Sequence, residues 1–483
     1  MTARTRWTSL VDASCVAAFL VWLVWLPLPF GSVISIARVP LIAVPLLLCS
    51  VAALLRSRRV RSVHETTPAY RIWTAGALLL MAVVAVQLIP LPAALLRVVS
   101  PESHTIWNDA SRVAAFAGVP TAAYHPVSID PDGTRFELFR LMGLFAAFQF
   151  AALLLRTHRR RALLVLALGG AALFEVLYGV RQVAQQRFDI WGWKNTLMFH
   201  RVTGTFVNPN HYAHYVALAV PLMMFVVAVA WHEAGPSSAL VRIRLGAMLE
   251  KRWLPVVLAC GTGVGCVAAV LLAQSRGALL SLATGLFIGG ALATRKRPAN
   301  LALATAAGLI VLAAMVLVLG TERTIARFKP LPEEEVTLVG RRTGIETAIG
   351  VWRRFPLLGS GAGTFPRVGL LEQRHDLTKR YRHAHDDYVE LAATTGLLGA
   401  GVAIPALFAG WVALLRMTFS RAAAELRWRR RAYQWAALVS VAIAMTHALI
   451  DFNFYIPSNP ATLAAIAGAA VASYSSDDKR TRR

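Results

Sequence analysis

Twelve apolar runs separated by polar links set the pattern of this chain. They lie near 12–30, 33–55, 70–89, 136–155, 162–184, 211–231, 254–273, 277–294, 299–320, 391–415, 432–451 and 459–474. About 20 helical residues cross roughly 30 Å of hydrocarbon, and a backbone in lipid has to satisfy its polar groups internally. Runs of this length therefore predict helices. The chain reads as an all-α polytopic membrane protein with about twelve transmembrane helices, a single integral membrane domain over 1–483. Only Gln274, Ser275 and Arg276 part the seventh and eighth runs.

The basic residues alternate between links, which predicts an orientation. With the N-terminus cytoplasmic, the cytoplasmic links carry RSRRVR at 56–61, RTHRRR at 156–161, Arg242 to Arg252, RKR at 295–297, Arg421 to Arg431 and the tail KRTRR. The short links on the other side, 31–32, 274–276 and 451–459, hold one Arg between them. Positively charged loops stay inside, so both termini are expected in the cytoplasm. Three longer polar segments then face outward, 90–135, 185–211 and 321–390, the last forming a large loop between helices 9 and 10. The start of the chain is basic like a signal sequence, but 13–30 is long and a second apolar run follows at once, so an uncleaved first helix is expected.

Composition agrees with the membrane reading: 57% apolar residues and 16% charged. The net charge of +25 would suit nucleic acid, but most of the Lys and Arg are consumed by the cytoplasmic links, so no nucleic-acid partner is expected. A basic excess remains outside at Arg181, Arg187, Lys194, Arg201, Arg276 and between Arg323 and Arg382, which suits an anionic substrate. Cys15, Cys49, Cys260 and Cys266 all fall within apolar runs, so no disulfide framework is implied.

The outer segments hold the candidate chemistry. In 90–135 there is a turn signal, PDG at 131–133, and little else. In 185–211, Trp191 and Trp193 fit an interfacial aromatic belt. RVTGTFVNPNH, at 201–211, is denser in polar groups than a span entry requires, with Asn210 a candidate helix N-cap. In 321–390, Ile345, Ala348, Ile349 and Trp352 follow helical spacing, with Arg341, Arg342, Glu346, Arg353 and Arg354 largely around them. This predicts a short amphipathic helix on the bilayer, ended before Pro356. GSGAGTF at 359–365 lacks the residues of a phosphate-binding loop and reads as a flexible turn where backbone approaches a ligand or another segment. YRHAHDDY at 381–388 places His383 and His385 two apart, where an extended backbone lets them share a face. Three roles fit His383, His385, Asp386 and Asp387: a metal site, a helix start capped by Asp386 or Asp387, and a proton acceptor with its supports. Arg276 sits in a tight break beside hydrocarbon, where charge is costly without a partner. Glu175 lies within a span as a structural pair for Arg181. His447 and Asp451, on one face beside Asn453, read as braces of helix ends.

Taken together, RVTGTFVNPNHYAHY, QSRG, RTGIETAIGVWRRFPLLGSGAGTF and HAHDDYVELAATTGLLG resemble the O-antigen ligase and O-antigen polymerase superfamily, over roughly 130–420. HALIDFNFYIPSNP is similar to members found with exopolysaccharide clusters. The ligase pattern of His, a polar residue and Gly-x-x-Gly falls on His385, Asp386, Gly396 and Gly399, with Asp386 replacing the usual Asn, Ser or Gln. Ala400 stands where a small β-branched residue often follows. The resemblance implies a GT-C-like glycosyltransferase of a bacterial inner membrane, its site facing the periplasm. The donor would be a glycan on a polyprenyl diphosphate; the acceptor, a glycan, a lipid A-core or a protein. It implies catalytic roles for Arg201, Arg276 and His385, with substrate contacts from Arg341, Arg342, Asn210, His383, Asp386 and Asp387. Neither cofactor nor metal is required. A repeat-unit polymerase and a protein-directed oligosaccharyltransferase share this chemistry, and a glycan or lipid transporter is the alternative of another class.

Overall fold

Helix follows helix along the chain, as the long apolar runs demand. A computed structural model describes residues 3–57, 66–194, 201–235, 240–294, 332–372, 381–420 and 428–472. The first half comprises α1 (Ala3–Trp25), α2 (Arg38–Ser57), α3 (Pro68–Val86), α4 (Ala93–Val99), α5 (Pro101–Phe116), α6 (Pro131–Leu154) and α7 (His158–Ala184). It continues with α8 (Pro209–Glu233), α9 (Val241–Leu272), α10 (Arg276–Thr294), α11 (Pro332–Arg354), α12 (Phe365–Val368), α13 (Asp387–Phe419), α14 (Trp428–His447) and α15 (Ser458–Val471). Two antiparallel ladders of two-residue strands punctuate the loops, β1 (Leu91–Pro92) with β2 (Tyr124–His125), and β3 (Asp189–Ile190) with β4 (Trp193–Lys194).

Eight of the described helices are long and apolar enough to cross a membrane. The run at 12–30 gives a shorter apolar helix, Leu10–Trp25, ahead of Pro27 and Pro29. The run at 432–451 begins beside Arg429, Arg430 and Arg431 in α14, and the last run yields only the 14 residues of α15. The expected span at 299–320 lies outside the described residues. Local signals explain the starts. Thr67, Asp130 and Asn208 each cap a helix whose next residue is proline, which has no N–H to leave unpaired.

Three helices form the centre. Every residue of α8 from His211 to Met223 is buried, as is nearly all of α14 from Tyr433 to Met445 and of α15. Around them, α9 packs on α8, α10 on α14, α6 on α15 and α3 on α13.

The glycine-rich turn at 359–365 does bring backbone against another segment, as expected. Gly359, Ser360, Gly361 and Ala362 are buried, and the turns of this segment cross α13 where that helix breaks. Leu397 and Leu398 donate to the Pro356 and Leu357 carbonyls at 2.8 and 3.1 Å, and Ser360 and Gly361 donate to Ala393 and Thr394 at 3.2 and 3.0 Å. The buried Gln87 amide joins in, donating to the Thr394 carbonyl at 2.8 Å and accepting from the Ala362 N–H at 2.9 Å. Gly396 makes the crossing possible. Its φ is +64°, and a Cβ there would collide with the Leu357 carbonyl.

Segment 90–135 also joins this crossing: Ile129 donates to the Ser360 carbonyl at 3.0 Å, and Thr134 to that of Ala362 at 2.8 Å. The segment that offered little chemistry in sequence is structural support for 356–364.

Gly396→Ala should destabilise the protein by about 2 kcal/mol or more, since both the left-handed backbone and the occupied space oppose a side chain. A melting temperature in detergent checks this; an unchanged value would contradict the crossing.

Candidate functional site

The helix ends at one side of the bundle converge on Asp451, a carboxylate 1% exposed just past α14. Asn210 Nδ2 donates to its Oδ2 at 2.8 Å, and the Phe452 N–H donates to Oδ1 at 2.9 Å. His385 Nδ1 lies 3.4 Å and His211 Nε2 3.6 Å from Oδ1, while Arg341 Nη2 is 3.7 Å from Oδ2. A buried charge without partners is prohibitively costly, so this convergence is what permits an ionised group here. Burial alone would push the Asp451 carboxyl up, but the contacts of His211 and His385 and the Arg341 guanidinium outweigh it and hold the group well below the usual carboxylate range.

Each contributor is placed by local chemistry. Asn208, not Asn210, caps α8, accepting the Asn210 N–H at 2.9 Å. The Asn210 side chain is thereby released to bridge Asp451 and Arg201, accepting from Arg201 Nη2 at 3.3 Å. Arg201 is anchored by the end of α9: Nε and Nη2 donate to the Ala273 carbonyl at 3.1 and 2.8 Å, and Nη2 to Gln274 at 3.1 Å. A cation at a helix C-terminus also meets the negative end of its dipole. The loop bearing Arg201 is clamped onto α7. Gln182 accepts from the Thr203 and Gly204 N–H groups at 3.1 and 3.0 Å, and Glu175 accepts from the Thr205 N–H and hydroxyl at 2.9 and 2.6 Å. Glu175 therefore serves Thr205, and Arg181 pairs with Asp189 instead, at 3.2 Å.

The break at 274–276 turns on Gln274, whose φ is +51°, and Ser275 Oγ accepts the Ala278 N–H at 3.3 Å to start α10. Arg276 is the exposed first residue of that helix, three positions from the carbonyl that anchors Arg201.

The HAHDDY segment folds by division of labour. Asp386 caps α13, its Oδ1 accepting from Tyr388 and Val389 at 2.9 and 3.0 Å. Asp387 is buried and accepts the Phe454 N–H at 3.1 Å, fixing the loop that carries Asp451. His383 Nδ1 lies 2.9 Å from Glu390 Oε1, and Glu390 Oε2 accepts the Ala384 N–H at 2.7 Å. His385 sits between these ties with φ +58°, a backbone state that a non-glycine residue holds only when its surroundings over-determine it. Both histidines reach one place, though through this left-handed turn and not through the extended backbone that their spacing suggested. His383 stacks on Phe452 with centroids 4.3 Å apart, and His385 meets the same ring edge-on at 5.0 Å. His211 abuts the opposite part of the cluster, 4.6 Å from Phe452.

Two expectations need correction. Arg342 does not join the cluster: its side chain is 82% exposed and pairs with Glu346 at 2.7 Å. Helix α11 ends before Pro356 as expected, but its buried face is Thr347, Ala348, Val351 and Phe355, packed with Phe365, Val368 and Ala384. It rests on protein, and Trp352 is exposed. Sequence reasoning passed over His211, Glu390 and Phe452, and read Asp451 as a brace. The signal for the last was its i, i+4 relation to His447 beside the polar end of a span. Among the described residues, no group of three or more His, Cys, Asp or Glu side chains is arranged to hold a metal ion.

Residues 261–404 match the family model described as O-antigen ligase. The match takes in Arg276, Arg341, His383 and His385, while Arg201, Asn210, His211 and Asp451 lie outside it. No curated protein matches the chain.

Asp451 has a depressed pKa in the fold, so its ionised form stabilises the protein above the unfolded value of about 3.9, and that contribution is lost only as pH falls toward the lower folded value. Asp451→Asn should therefore lower the melting temperature at pH 7, and the gap to the wild type should not narrow between pH 7 and pH 5. A gap that closes across that interval would show Asp451 taking up a proton there and contradict the hub.

Proposed function

We propose that the chain is a member of the O-antigen ligase/polymerase superfamily, a reading supported by the family match of residues 261–404, and that it transfers a glycan from a polyprenyl-diphosphate carrier to an acceptor hydroxyl. The reading rests above all on the contact of His385 with Asp451, in a corner that also gathers Arg201, Arg341 and Asn210. With Nδ1 turned to the carboxylate, His385 offers Nε2 to a substrate. A carboxylate behind an imidazole fixes its tautomer and stabilises the imidazolium that forms, as in hydrolase triads.

The chemistry is a displacement. The acceptor oxygen attacks the anomeric carbon and passes its proton to His385 Nε2. The bond from that carbon to the diphosphate oxygen breaks, and the polyprenyl diphosphate leaves with the electron pair. Attack opposite the leaving group inverts the anomeric centre. Arg201, Arg276 and Arg341 are the cations assigned to the diphosphate, where forked N–H donors match its oxygens and stabilise the charge developing in the transition state. Arg201 enters already anchored to Ala273 and Gln274, so little order has to be created on binding. His383, Asp386 and Asp387 support His385 through Glu390, the α13 cap and Phe454 rather than by meeting the substrate. The reaction is placed at the periplasmic face of a bacterial inner membrane. A GT-C-like framework with about twelve spans is part of the same proposal.

The experiment is transfer from a purified polyprenyl-diphosphate glycan in reconstituted membranes. His385→Ala should lower the rate about 10²–10⁴-fold, the usual share of a general base, with donor binding retained. Undiminished transfer by that variant would overturn the assignment. Arg341→Ala should lower transfer at saturating acceptor while Arg342→Ala leaves it within about twofold, since only the first reaches the hub; equal losses would refute the distinction. Because arginines meet the diphosphate charge, transfer should persist in EDTA, and loss reversed by added metal would refute that. Deleting the gene separates ligase from polymerase: a ligase leaves the acceptor bare, whereas a polymerase leaves it carrying a single repeat.

A further inference from the structure

The end of the bundle opposite His385 holds a second feature that the transfer chemistry does not use. A cavity of about 480 Å³ lies between α7, α8, α9 and α14, within the roughly 300–1,000 Å³ of small-ligand sites. Its location follows from chain direction: α8 runs from Asn210 at the Asp451 hub to Glu233 at this end, and α14 begins here at Trp428 and finishes at His447. The walls are apolar, with Gly170, Val226 and Leu258 among them; Arg252 and Arg429 are the exposed cations at the mouth, and the lining also includes Arg161 and Arg430, against a single carboxylate, Glu233. Glu233 is shared, 3.0 Å from Arg252 and paired also with Arg429, so positive charge predominates at the mouth.

The neighbouring backbone fits a membrane interface. Helix α9 kinks at Arg252, where φ and ψ are −140° and 24°, three residues before Pro255. The portion before the kink exposes Leu240, Val241 and Ile243 alongside Arg242, Arg244 and Lys251, the make-up of a helix lying in the headgroup layer. It packs back on the end of α8 through Met248 and Ala230, and Arg244 donates to the Trp231 carbonyl at 2.7 Å.

We propose that this cavity binds one anionic phospholipid, an acyl chain between the four helices and the phosphate at the arginine mouth. Basic pockets between transmembrane helices suit anionic headgroups, and the apolar walls bury a chain that a free phosphate does not bring. A neutral lipid fills the walls but brings no charge to balance the excess of arginine over carboxylate. The site lies at the far end of α8 and α14 from His385, so it is independent of the transfer site.

The test is the melting temperature in nanodiscs of phosphatidylcholine alone and with one fifth phosphatidylglycerol. A ligand that binds only the folded state raises the melting temperature, so the anionic lipid should raise that of the wild type by several degrees. The double variant Arg252→Gln, Arg429→Gln should lose at least half of that shift. Gly170→Phe should do the same through the chain cavity. A Cβ at Gly170 meets nothing within 4 Å, so this variant fills space without a clash where it enters. No shift in the wild type would overturn the proposal, as would an undiminished shift in either variant. An equal shift from inorganic phosphate added to phosphatidylcholine discs would overturn it too.

Discussion

One buried carboxylate sets the terms for the site. Asp451 is 1% exposed and comes from the loop after α14, but its partners come from α8, from α11 and from the approach to α13. A shift of any one of these elements removes a partner from a buried carboxylate, and a buried charge left with none costs several kcal/mol. The same loop is tied on its other side, where Asp387 accepts the Phe454 N–H and Arg140 Nη1 donates to the Phe454 carbonyl at 2.8 Å. The hub is therefore held from both directions, and a histidine beside it inherits a fixed position.

That rigidity is extended by backbone rather than by side-chain packing. Segment 356–364 pairs with α13 where Gly396 interrupts it, and the Gln87 amide connects both to the end of α3. The Gly-x-x-Gly spacing after His385 thus has a structural cause at its first glycine. Ten residues separate that crossing from the α13 cap, about 15 Å of helix at 1.5 Å per residue. Segments 356–364 and 90–135 are thereby tied to the helix that follows His385.

Periodicity made most of the helices legible, because membrane spans are written in one dimension. His385, Arg201 and Arg276 stood out as candidates for a related reason, since polar groups without a packing explanation are conspicuous among apolar runs, and the structure brings the first two to the Asp451 corner. What escaped depended on three dimensions. Asp451 looks like any polar residue at a span end until α8 and α13 are brought beside it. Arg341 and Arg342 are adjacent and chemically equal, but successive helical residues point about 100° apart, so one meets the hub and the other solvent. Asn208 and Asn210 are both competent caps, and only the backbone decides that the first is used. Of the face expected for α11, Ala348 is buried, but Ile345 and Ile349 are only half-buried and Trp352 is exposed, because the helix turns Thr347 and Val351 inward instead.

The left-handed backbone of His385 links these observations. Ala384 is held back by Glu390, and Asp387 is held forward by its N–H to the Ala448 carbonyl at 2.9 Å. Between two fixed points so close together, a residue in the ordinary extended or helical regions would carry its ring elsewhere. The αL turn is what lets His383 and His385 both reach Phe452 while Nδ1 of the second reaches Asp451. Glycine would adopt that turn at lower cost but brings no imidazole. A strained histidine retained at this point is thus better explained by what its ring does than by what the turn requires, and the strain, of order 1–3 kcal/mol, is offset by the hydrogen bonds on either side.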